Sequence, residues 1–265
     1  MNNGSQTITA STPDENSDGL DPNIYGTVNV EDWDYQENNH ILNLTNYHGQ
    51  DKDHIIIPNL NDFSNANIDI NGVEGIGITS QVLKNALGQL NSQNSTIAIS
   101  KTSGSFSNKV IAENNNWELA FVTPKQIKIK YADLTNLDTS NVTNMGGMFY
   151  NAIDLQSVGD LSKWNTSNVT SMNYMFNNAR NLQSVGDLSK WDTSNVTDMG
   201  GMFDNAINLQ SVGDLSKWDT SRVTNMSAMF ESTRFSSKCL NFLRGQSYFF
   251  LVGIIVIKVM LMATR

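Results

Sequence analysis

A chain of 265 residues with a formal charge of −9 is long enough for one or two domains with a real core. One cysteine excludes a disulfide framework and a thiolate zinc site, and 17 basic against 26 acidic residues argue against a nucleic-acid partner. Asn, Ser and Thr supply 83 residues, and such short polar side chains favour turns, caps and loops over long helices. The charge is uneven: residues 1–231 carry −14, whereas 232–265 hold five basic residues, no acid and the cysteine, Cys239.

Taken in chain order, residues 1–25 are polar and almost free of large apolar groups, which predicts a disordered segment. Residues 26–133 show short apolar bursts at Val28/Val30, Ile41/Leu42/Leu44, Ile55 to Ile57, Ile97/Ile99, Leu119/Phe121 and Ile127/Ile129. Separated by Asn- and Gly-rich turns, these read as strands. One helix is predicted among them, capped by Ser80 and running to about Leu90, with Leu83, Leu87 and Leu90 at helical spacing. The region is expected to be a β-rich α+β cap for the chain from residue 134 onward.

Residues 134–232 are a four-copy repeat of 27 residues. NVTNMGGMF at 141–149 returns as NVTSMNYMF, NVTDMGGMF and RVTNMSAMF, and LQSVGDLSKW recurs three times between them. Val169, Met172, Met175, Phe176 and Ala179 fall at offsets that predict one face of a short helix, stopped by Asn177, Asn178 and Asn181. Leu182 to Leu188 predicts a short extended segment kinked at Gly186. One short helix and one strand per unit cannot bury a core alone, so stacked copies are expected. The predicted fold class is therefore α/β, a short leucine-rich-repeat solenoid. Its core is expected from Val142, Met145, Met148, Phe149, Val169, Met172, Met175, Phe176, Val196, Met199, Met202 and Phe203, with Trp164, Trp191 and Trp218.

The phrase W-[DN]-T-S-N-V-T-x-M-x-x-M-F followed by L-x-S-V-G-D-L resembles the BspA-type leucine-rich repeats of bacterial surface proteins, also described as a mycoplasma lipoprotein-associated repeat. Residues 26–133 resemble, more loosely, the region before such repeats in surface proteins of lactobacilli. The resemblance implies an extracellular or cell-surface, noncatalytic protein for adhesion or host interaction, with a protein or glycan of a host or neighbouring bacterium as partner. It implies no catalytic residue. The chain shows no secretory signal or LPxTG sorting motif and resembles a piece of such a protein. A structural stalk and a glycan-binding module are the alternatives.

No cofactor or metal is expected. His40, His48 and His54 fit no zinc spacing, and the column Asp160, Asp187, Asp214 lacks the dense carboxylates of a calcium loop. The stacked tryptophans are expected in the core and not as a sugar platform, because Leu137 fills that place in the first copy. Candidate interaction positions are the variable column Asn144, Ser171, Asp198, Asn225 and the lysine column Lys163, Lys190, Lys217. For the basic, apolar tail at 233–265 three readings stay open: a membrane segment, a terminal cap, or a sequence unrelated to the repeat through a shifted reading frame.

Overall fold

The computed structural model describes residues 28–91, 94–122 and 129–234. The expectations for 1–25 and for the tail beyond Arg234 lie outside these residues.

The chain enters through a single turn of 3-10 helix, Val30–Asp32, capped by the Asn29 side chain. A hairpin comes next, strands β1 (Trp33–Asn38) and β2 (Ile41–Tyr47). Its two linking residues, Asn39 and His40, both take left-handed backbone at φ 51° and 64°, the geometry that matches a hairpin's twist. Then come β3 (His54–Ile57), helix α1 (Leu60–Asn65), β4 (Gly75–Ile78), helix α2 (Ser80–Leu87), β5 (Ser95–Ile99), β6 (Val110–Ala112), β7 (Ile129–Asp133) and β8 (Leu137–Asp138). Asn59 and Asp62 close α1 with a reciprocal capping box, and the Thr79 hydroxyl caps α2 by accepting from Val82 N. The cap of α2 is thus Thr79 and not Ser80, and Gly88 ends the helix before Leu90.

The strands form two sheets. One has five strands in the order β1-β2-β4-β6-β8, antiparallel in the hairpin and parallel thereafter. The other has three parallel strands, β3-β5-β7. Leu42, Leu44, Ile55, Ile57, Ile76, Ile78, Ile97 and Ile99 are buried with Leu83 and Leu87 of α2 in one hydrophobic core. Of the predicted strands, Val28/Val30 fall at the 3-10 turn, Leu119/Phe121 form turns, and Ile129 opens β7.

From residue 134 onward the units contain no α-helix, and here the leucine-rich-repeat solenoid is overturned. Among the described residues the only α-helices are α1 and α2, both before the repeat, and the sheets are two small ones of mixed topology without a repeating curved sheet. The helix predicted over Val169–Ala179 fails for a backbone reason. Met172, Tyr174, Phe176 and Asn178 donate their N–H groups not four residues back but to Asp198, Gly200, Met202 and Asp204 in the next unit. The intervening Met175 and Asn177 close tight turns onto Met172 and Tyr174, three residues back. Left-handed residues at Tyr174 and Asn178, φ 54° and 59°, stop any helix from propagating. The extended segment at Leu182–Leu188 shrinks to one parallel bridge, Ser157↔Ser184, before a 3-10 turn at Leu188–Lys190.

What the units share is a stack of turns in parallel register, with bridges Asn144↔Ser171, Ser171↔Asp198 and Asp198↔Asn225. Both sheets lead into it. β6 pairs with β8, Asn116 bridges Asn144, and Tyr131 of β7 bridges Ser157. Identical residues therefore lie over one another. Phe149, Phe176 and Phe203 stack at 5.4 and 5.5 Å, and Trp164, Trp191 and Trp218 at 6.3 Å with planes 2° apart.

Candidate functional site

The columns chosen from sequence occupy quite different places. Val142, Met145, Met148, Phe149, Val169, Met172, Met175, Phe176, Val196, Met199, Met202 and Phe203 are buried, most of them completely. Trp164, Trp191 and Trp218 are 3–4% exposed, and each indole N–H donates to a backbone carbonyl of the preceding unit: Leu134, Leu161 and Leu188. No indole face is open to a ligand.

Asn144, Ser171, Asp198 and Asn225 are half-buried and occupied in closing turns. Asn144 and Asp198 accept from Gly146 N and Gly200 N, Ser171 donates to Asn173, and Asn225 accepts from Ser227 N. Lys163, Lys190 and Lys217 are exposed at the ends of the 3-10 turns. The aspartates before them are caps: Asp160, Asp187 and Asp214 accept from Ser162 N, Ser189 N and Ser216 N. Gly186 and Gly213, at φ 81° and 82°, sit where a Cβ would strike the carboxylate of the unit before, so glycine recurs there for a packing reason.

The three histidines are not brought together. His40 bonds Gly72 O, His48 faces Asp34 at 3.4 Å, and His54 meets Asp51 at 3.0 Å. Burial raises the Asp51 carboxyl, but the N–H groups of Asp53 and His54 and the His54 ring outweigh it and hold the group below its usual range. Among the described residues no group of three His, Cys, Asp or Glu could hold a metal ion.

A different surface stands out. Among the described residues six large hydrophobic side chains are exposed, and four of them, Leu119, Tyr150, Ile153 and Tyr174, come from turns on either side of β7 and β8. Tyr150 and Tyr174 are 44% and 47% exposed and meet edge to face at 6.4 Å. Tyr174 belongs to the column Leu119, Gly147, Tyr174, Gly201, Ala228, in which every backbone is left-handed. Its ring packs on Gly201, where a Cβ would come within 2.6 Å of two ring carbons. A bulky residue at positive φ is uncommon and costs energy, and here half of the ring is exposed and unburied. Arg180, also exposed, lies one unit from Ile153 in the same column, held by Asn178 at 2.6 Å.

Beside this face runs a groove of about 710 Å³ lined chiefly by amides: Gln156, Gln183 and Gln210 from three successive units, Asn181 and Asn208, with Arg234 at one end. Tyr131 donates to Gln156 Oε1, which fixes the first amide of the row. The aromatic face was not singled out from sequence. Its available signal is a tyrosine at a position where two of the other three copies carry glycine, a substitution that no core periodicity asks for.

Among the described residues no helix is long and apolar enough to cross a membrane. A family described as mycoplasma proteins of unknown function, DUF285, matches residues 115–242, just under half of the chain. Neither a curated protein nor a solved structure matches. The BspA-type leucine-rich-repeat resemblance is therefore corrected: what the repeat region is similar to is a family without an assigned function, and its fold has no leucine-rich-repeat architecture. The adhesion function drawn from that resemblance goes with it, leaving a mixed α/β fold joined to a stack of turns and similar over residues 115–242 to DUF285.

Proposed function

We propose that this chain is a noncatalytic recognition scaffold that binds a protein partner on the face carrying Tyr150, Ile153, Tyr174 and Arg180. The observation that carries the reading is Tyr174, a strained and half-exposed ring which, with Leu119, is one of two large side chains in a column of glycine and alanine. Strained residues kept without burial are candidates for function. Exposed tyrosine and arginine beside aliphatic side chains are the composition of binding hot spots. The underlying stack supports this role, since a surface held by ordered hydrogen-bond columns loses little entropy on binding.

The test uses the full chain as bait for a displayed library of random peptides. Selected peptides are expected to bind the Tyr150→Ala and Tyr174→Ala variants at least tenfold more weakly, with thermal midpoints unchanged. Selection of no peptide, or of peptides that bind the variants as well as the native chain, overturns the reading. The location we propose is the cell surface, on the polar, acidic composition of residues 1–231 and the similarity to a mycoplasma family. Protease treatment of intact cells should then degrade the chain, and full protection would count against it.

A further inference from the structure

We infer that the Tyr150–Tyr174 pair is a seat for a cationic side chain, an arginine or lysine presented by the partner. This rests on the recognition face proposed above and names its chemistry. The ring of Tyr174 covers Gly201, and the Asn177 amide nitrogen lies 3.6 Å from where a Gly201 Cβ would stand. That amide donates to Asp204 Oδ2 at 3.0 Å, so the Asp204 carboxylate lies one hydrogen bond beyond the amide that borders Gly201 with the ring. The second oxygen, Oδ1, is buried and has no hydrogen-bond partner.

Among the described residues no ion pair involves Asp204. The nearby Arg180 is directed to Asn178 instead. Glu231 follows Asp204 in the same column, one unit on, and is exposed. An aromatic face attracts a cation through its quadrupole, and the negative charge of Asp204, joined to the Asn177 amide next to the seat, adds to that attraction. Tyr150, edge-on to Tyr174 at 82°, supplies a wall against which the stem of a long basic side chain can pack. A neutral or acidic side chain gains neither contribution.

The test measures binding of the full chain to three soluble decapeptides of Gly and Ser carrying four arginines, four glutamines or four glutamates. At low salt the arginine peptide should bind at least tenfold more tightly than the glutamine peptide. Tyr174→Ala should lose at least fivefold of that affinity without any change in net charge. Tyr174→Phe should keep it, and Asp204→Asn should weaken it two- to threefold, with circular dichroism unchanged in each variant. Absence of binding, equal affinity for the arginine and glutamine peptides, or undiminished arginine binding by Tyr174→Ala overturns the inference. The recognition face fails separately: library-selected peptides that depend on Tyr174 but are not enriched in basic residues leave that face standing and remove only the cation, whereas peptides indifferent to Tyr174 remove both.

Discussion

At Tyr174 a backbone suited to glycine carries a large side chain, and the cost is local. Relieving it should not harm the fold. Tyr174→Gly removes roughly 1 kcal/mol of left-handed strain while losing an aromatic contact of similar size. Its denaturation midpoint should therefore stay within about 1 kcal/mol of the native chain in urea, even as peptide binding falls. Asp62 is the opposite case, a side chain in a wholly buried place. Burial pushes its carboxyl above the usual range against the pull of the Thr102 and Ser100 hydroxyls and the Asn59 N–H, and its Oδ1 has no hydrogen-bond partner. A raised folded pKa means that protonation favours the fold. That contribution is complete below the unfolded pKa and disappears as pH rises through the folded one. Asp62→Asn should thus gain stability relative to the native chain between pH 4 and pH 7.5; urea titrations showing a constant difference would falsify this.

Among the elements, the repeat unit teaches most. Its apolar spacing fits a helix and its burial follows that spacing, yet the backbone is a series of tight turns. The apolar offsets locate which side chains point inward, but they do not say where the N–H groups go. The deciding residues are the asparagines at 151, 178 and 205, each left-handed at φ 58–59°, and the glycine or tyrosine column four residues before each. With two left-handed positions so close, a helix cannot run, and alternate N–H groups turn to the neighbouring unit. The tryptophan column is a second stack of buried aromatic rings beside the phenylalanines. Trp191→Ala opens a cavity between two stacked indoles and leaves the Leu161 carbonyl with only the Trp164 N–H. We expect a loss of about 3–5 kcal/mol in urea denaturation, several times the effect of any change at Tyr174.

Across the whole molecule, the N-terminal sheets and the stack share hydrogen bonds and a core, so they should unfold together. Lys101, just after β5, joins Asp133 of β7 at 2.6 Å, and Asp133 is 1% exposed. Removing the cation leaves a buried carboxylate uncompensated, which typically costs about 3–5 kcal/mol. Lys101→Met should lower the thermal midpoint of the entire chain, with tryptophan fluorescence and far-ultraviolet circular dichroism shifting together. Two separate transitions would show that the sheets and the stack are independent.

The order of residues alone determined the 27-residue period, the inward columns of Met, Phe, Val and Trp, and the helix after Thr79, because side-chain hydrophobicity and local caps act within a few residues. It also located the kink at Gly186, where a glycine stands against the Asp160 carboxylate. Only the tertiary structure decided that the units hold no helix, that Asp160, Asp187 and Asp214 are caps, and that the variable Asn144 column closes turns. It alone set Tyr150 against Tyr174 and bound Asp204 to Asn177. The caps and turn closures are bonds only two residues long, but the loss of the helix and the Asn177–Asp204 contact depend on hydrogen bonds between residues some 26–30 positions apart. A backbone N–H chooses between its own turn and a neighbouring unit only once that unit is in place, and no local pattern records the choice.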